Sequence, residues 1–115
     1  MNDPQVVELL TANGLRQRDA RVLVCFAEQD GELTSVDIES KAQLRQPEVS
    51  IATRELRRRG WLRFTTQHKG GKGAPIKIYR LTVPFGDIVK QIVRERTAEI
   101  DRAQELTVQL LQAVA

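Results

Sequence analysis

At 115 residues and 13.0 kDa, with 41% apolar and 29% charged residues, the chain is expected to form one soluble domain with an appended helix. Its net charge of +3 hides a division: Lys41 to Arg80 holds eleven Lys/Arg and two acids, a local +9, while the remainder sums to −6. No charged-then-apolar N-terminal signal and no apolar run near about 18 residues is present, which argues against secretion and membrane spanning and for a cytoplasmic protein.

Asp3-Pro4 opens the first predicted helix, with Asp as N-cap and Pro at the first helical position, and Asn13-Gly14 closes it. A second helix is expected from Gln17 to Glu28, with Ala20, Val22, Leu23, Phe26 and Ala27 on one broad side, ending in a turn at Asp30-Gly31. The lone cysteine, Cys25, lies in VLVCFA; it allows no internal disulfide, fits a reducing compartment and reads as a packing residue. A brief third helix follows, Ser35 to Ala42, with Thr34 or Ser35 as its cap; Thr34 would put Asp37 at the third position. After a turn at Gln43-Leu44-Arg45, Pro47 opens a helix that must stop at Gly60, so 35–59 reads as a helix-turn-helix.

Beyond Gly60 the period changes. WLRFTTQH and IKIYRLTV read as two strands, joined by the glycine- and lysine-rich loop KGGKGAP. The order helix, helix, helix, hairpin is that of a winged helix-turn-helix. Pro84 separates it from a final helix of about 28 residues, roughly 40 Å long. The expected class is therefore mainly α with a small β-hairpin: a domain over 1–83 and a long C-terminal helix over 84–115 that serves dimerisation. Val89, Val93, Arg96, Ile100, Ala103, Thr107, Leu110 and Val114 follow a 4-3-4-3 spacing along that helix, with Ile92, Leu106 and Leu111 broadening the stripe. Pairing between subunits is the expectation, packing back on its own domain the alternative.

On a helical wheel, Val49, Ala52 and Leu56 form the inward stripe of the segment from Pro47 to Arg59, with Thr53 at its edge. The outer face carries short polar residues early and arginines late, the distribution a major-groove helix needs. Gln46 suits adenine and Arg54 guanine; Glu48 would accept from cytosine or repel wrong contacts; Ser50 can donate or accept, and Ile51 would meet a thymine methyl or sit partly in the core. Arg57 and Arg58 would grip the phosphate backbone. An arginine cluster at a helix C-terminus also complements the macrodipole, and a solvated basic face is common. Its union with a tight turn, a local +9 and a glycine-lysine wing favours nucleic acid. In the wing, His68, Lys69, Gly70, Gly71 and Lys72 would follow the backbone or the minor groove. Ser35 and Arg45, either side of the third helix, complete the set expected to touch DNA. One histidine and one cysteine cannot assemble a metal site, no cofactor motif is present, and no nucleophile–base order supports catalysis.

LRQPEVSIATRELRRRGWL resembles the recognition segment of ArsR- and MarR-type winged-helix regulators, where a Gln-Pro-x-Val-Ser run precedes a leucine and a basic stretch ending in glycine. The whole chain, from GLRQRDARVLVCFAEQDGELTSVDI to a wing ending IKIYRLT and the long helix after it, looks like the DNA-binding region of archaeal TrmB-type regulators over residues 10–112. That resemblance implies a homodimeric prokaryotic transcription factor on a pseudo-palindromic operator. Gln46, Pro47, Glu48, Ser50, Ile51 and Arg54 match its base-facing positions, and Lys69 to Lys72 its wing. The chain departs from full-length TrmB proteins in lacking their C-terminal sugar-binding domain, and from metal-sensing ArsR members in lacking paired cysteines or histidines. The rival expectation is a winged helix used as a protein-interaction module in a transcription or replication assembly.

Overall fold

The computed structural model describes residues 3–27, 31–68 and 73–115. In chain order the elements are α1 (Asp3–Ala12), α2 (Gln17–Val24), β1 (Leu33–Thr34), α3 (Ser35–Ala42), α4 (Gln46–Arg58), β2 (Leu62–Gln67), β3 (Ile76–Leu81) and α5 (Phe85–Val114). The four helices and the hairpin expected from the sequence are present in the expected order, with one strand more than foreseen. Leu33 and Thr34 pair antiparallel with Tyr79 and Ile78, making a three-stranded sheet in the order β1-β3-β2. Two residues are too few to show an alternating pattern, so β1 left no periodic trace.

Three of the short helices stop in the same way. At the end of α1, Gly14 takes φ +107°, its N–H bonds Thr11 O at 3.1 Å, and Leu15 N–H reaches back to Leu10 O at 3.2 Å. At the end of α4, Gly60 takes φ +80°, bonds Arg57 O at 2.9 Å, and Trp61 N–H reaches Leu56 O at 3.0 Å. These are Schellman closures, in which a left-handed residue lets the chain satisfy the last carbonyls while an apolar pair seals the turn; Leu10 with Leu15, and Leu56 with Trp61, are buried accordingly. After α3 the left-handed residue is Gln43, φ 54°, and Leu44 N–H bonds Glu39 O at 3.1 Å.

The start of α3 settles the choice of cap. Thr34 is the N-cap, its Oγ1 accepting from Asp37 N–H at 3.2 Å while Thr34 N–H donates to Asp37 Oδ2 at 2.9 Å. That backbone bond, with the threonine hydroxyl, holds the Asp37 carboxyl below its ordinary range. The second helix is shorter than expected. After Val24 the chain tightens into bonds three residues back (Cys25 to Val22, Phe26 to Leu23, Ala27 to Val24), and this brings Phe26 into the core. Cys25 is half-buried against that core, its Sγ donating to Arg21 O at 3.3 Å. The Asp3 capping group and the Asp30 turn lie outside the described residues.

The core is aliphatic: Leu23, Val22, Ile38, Val49, Leu56 and Ile88 are its largest fully enclosed side chains, with Trp61 and Tyr79 closing it on the sheet side. Asp19 is a buried exception on α2, with Arg18 3.6 Å away; burial outweighs that charge and raises its carboxyl pKa. The chain measures 73 × 27 × 24 Å because α5 runs out from the domain, 30 residues and about 45 Å long. Ile92, expected in the seam between subunits, is instead part of this chain's own core at 3% exposure, and Val89 packs against it. Both lie about one turn or less from Ile88, where the helix is still over the domain. Val93, Ile100, Leu106, Leu110, Leu111 and Val114 remain exposed, and Arg96 is half-exposed beside Glu99.

Candidate nucleic-acid interface

The wheel drawn from the sequence matches the packing of α4. Val49, Ala52 and Leu56 are buried. Thr53, placed at the edge of that stripe, is buried too, and it carries no polar penalty because its hydroxyl donates to Val49 O at 2.8 Å. Gln46, Pro47, Glu48 and Arg54 are exposed, Ser50 is half-buried, and Ile51 at 45% exposure belongs to the outer face rather than the core. Arg45 and Ser35 lie at the starts of α4 and α3 respectively. Glu48 has a role the sequence reading missed: its Oε1 accepts from Arg45 N–H at 3.2 Å, closing the first turn of α4. The cue was its place three residues after the cap.

Residues 35, 46 and 50 meet in a cleft of about 740 Å³ between the starts of α3 and α4 and the loop end of the hairpin, where Ile76 and Lys77 form the far wall. Sequence reasoning overlooked Lys77. It lines this cleft from β3, on the side facing the start of α4. His68 is exposed just past β2. The expected wing contacts Lys69, Gly70, Gly71 and Lys72 lie outside the described residues.

The arginine run divides by partner. Arg58 forms a fork on Glu55, Nε to Oε2 at 2.9 Å and Nη2 to Oε1 at 2.6 Å. Those bonds hold the Glu55 carboxyl down at about 2 and raise the guanidinium. Arg59 lies 3.6 Å from Glu55 and 4.8 Å above the Trp61 ring. Arg57 stands 4.8 Å from the centre of the Phe64 ring, and Lys77 approaches the same ring at 4.8 Å. Phe64 in turn tilts against Tyr79, 5.7 Å between centres. In the free chain, then, Arg57 and Arg58 are already engaged, whereas Arg54 has no ion-pair or ring partner among the described residues.

This assembly of a capped helix pair, an outward-facing second helix and a three-stranded wing is the winged helix-turn-helix fold. No family model matches the chain, and no curated protein matches it. Solved structures do. A possible transcriptional regulator from Methanosarcina mazei Go1 is 22% identical with a TM-score of 0.66, over 88% of this chain and 86% of that one. TrmBL2, described as an archaeal chromatin protein, is 21% identical with a TM-score of 0.68 over 98% of this chain; the match spans 42% of TrmBL2. A MarR family transcriptional regulator from Silicibacter pomeroyi DSS-3 is 19% identical with a TM-score of 0.57, over 87% and 68% of the two chains. The likeness is one of fold, and these neighbours are described as regulators or chromatin protein rather than as enzymes. Among the described residues no helix is long and apolar enough to cross a membrane, and no cluster of metal-ligating side chains occurs.

Proposed function

We propose that the chain is a sequence-specific regulator of transcription that binds double-stranded DNA as a homodimer. The N-terminal half of α4 enters the major groove, and the wing over 68–76 lies on the backbone or in the minor groove. The observation that carries this reading is the outer face of α4. Among the described residues, Gln46, Ser50, Ile51 and Arg54 have side chains free of polar partners, on a helix whose two ends are closed and whose inner face is packed. A rigid helix with an uncommitted polar face can read base edges without first breaking contacts of its own. Supporting it are the +9 charge between Lys41 and Arg80 and the fold shared with proteins described as regulators. The DNA binding for which TrmBL2 is described belongs to that protein and serves here as analogy.

The dimer is supported by α5, whose exposed aliphatic residues from Val93 to Val114 have no cover in a single chain. Pairing them would set two recognition helices about 34 Å apart, one turn of duplex. The test is selection of sites from a random duplex pool, followed by titration of variants. Arg54→Ala should cost about 1–3 kcal/mol and relax one base position. Lys77→Ala should weaken every sequence alike. A pool that yields no motif would remove the reading and favour the protein-interaction module, and a motif indifferent to Arg54 would overturn the base contact assigned to that residue.

A further inference from the structure

α5 leaves the domain as a lever with few fixings. Ile88 and Ile92 are in the core, Phe85 and Val89 pack against it, and beyond Ile92 every residue except Arg96 is exposed. Among the described residues one side-chain hydrogen bond joins this helix to the rest of the chain: Trp61 Nε1 donates to Gln91 Oε1 at 3.1 Å. The other end of the amide is also held, Gln91 Nε2 donating to Glu95 Oε1 at 3.1 Å. An indole N–H can only donate, so the amide oxygen must face Trp61 and the nitrogen Glu95, which locks one orientation of the side chain.

Trp61 is the residue that seals the end of α4. Its N–H bonds Leu56 O, its ring is buried, and the Arg59 guanidinium lies over that ring. The end of the recognition helix and the base of α5 therefore meet at a single polar tie. From Ile92 to Val114 the lever is about 33 Å long at 1.5 Å per residue. A swing of about 10° at its base moves the tip by about 6 Å, close to the rise of two base pairs at about 3.4 Å each.

We infer that Gln91 is a positioning residue for half-site spacing: its bond to Trp61 fixes the angle between α4 and α5, and through it the separation of the two recognition helices. This rests on the homodimeric reading above. The test compares the 115-residue chain with its Gln91→Leu variant, which removes the acceptor. A second variant combines Gln91→Glu with Glu95→Gln, exchanging amide and carboxylate so that an oxygen still faces the indole.

Duplexes carry two selected half-sites set about one turn apart, then shifted by one, two or three base pairs either way. The wild type is expected to prefer one spacing by about tenfold over its neighbours, Gln91→Leu to lose most of that preference, and the exchanged pair to recover it. A Gln91→Leu profile as sharp as the wild type's overturns the inference. The second measurement needs no dimer: spin labels at Thr11→Cys and Gln112→Cys, in a Cys25→Ser background diluted with unlabelled chain. The distance distribution should widen in Gln91→Leu and stay narrow in the exchanged pair; equal widths overturn the tie itself. A wild type bound as one copy per duplex, read from the mass of the complex, overturns the homodimer and the spacing role together, and is distinguishable from a failed tie.

Discussion

Arg54 and Arg58 carry the same charge one turn apart on α4, yet Arg58 is bonded through two nitrogens to Glu55 and Arg54 has no such partner among the described residues. The difference lies in what stands three residues earlier, Glu55 before Arg58 but Ile51 before Arg54. The inward stripe of Val49, Ala52 and Leu56 was legible because burial follows helical period. The fates of Arg57 and Arg59 were not, because Phe64 and Trp61 reach them only after the chain has turned at Gly60. Glu55 supplies a prediction with a definite sign. Its folded-state pKa of about 2 lies below the ordinary 4.5, so it contributes stability that is present above pH 4.5 and is lost as pH falls toward 2. Glu55→Gln should therefore melt below the wild type at pH 7, with the difference closing across that window. The same change frees Arg58 and removes a negative charge, so duplex binding should tighten; a thermal series over pH and one binding titration check both.

Three helix ends share one closure, and this could be read from the sequence in two of the three. Asn13-Gly14 and Gly60 announce themselves because glycine tolerates positive φ. Gln43 does not, since an L side chain at φ 54° costs about 1–2 kcal/mol, and nothing in its identity signals the left-handed turn. Gln43→Gly should accordingly stabilise the domain by about 0.5–1 kcal/mol once the greater entropy of a glycine in the unfolded chain is offset. Urea denaturation measures it, and a loss of stability would show that the Gln43 side chain contributes more than its strain. The strand β1 was hidden for a different reason: it is a two-residue bridge to Tyr79 and Ile78 that ends on the Thr34 cap itself. Cap signals are local, whereas a strand so short exists only through its neighbour.

At the scale of the whole molecule, the net charge of +3 understates a basic centre flanked by acidic ends, and the long axis of 73 Å reflects a helix that outruns its domain. The extent of that helix was legible from the absence of breakers after Gly86; its inner boundary was not, because Ile92 satisfies the pairing repeat and the domain's own core equally well. If the exposed stretch pairs between chains, Leu106→Glu with Leu110→Glu should raise the dimer dissociation constant by more than about a hundredfold, each lost leucine being worth about 1.5–3 kcal/mol. Sedimentation at micromolar concentration would report it, and an unchanged mass would place the contact elsewhere. The central claim, that the basic centre binds duplex DNA, is tested most directly by titrating a selected duplex at increasing salt. Each neutralised phosphate adds about −0.9 to the slope of log K against log salt, and cations from two half-sites should give a slope steeper than about −4. A flat slope, or no duplex binding at low salt, would contradict the account.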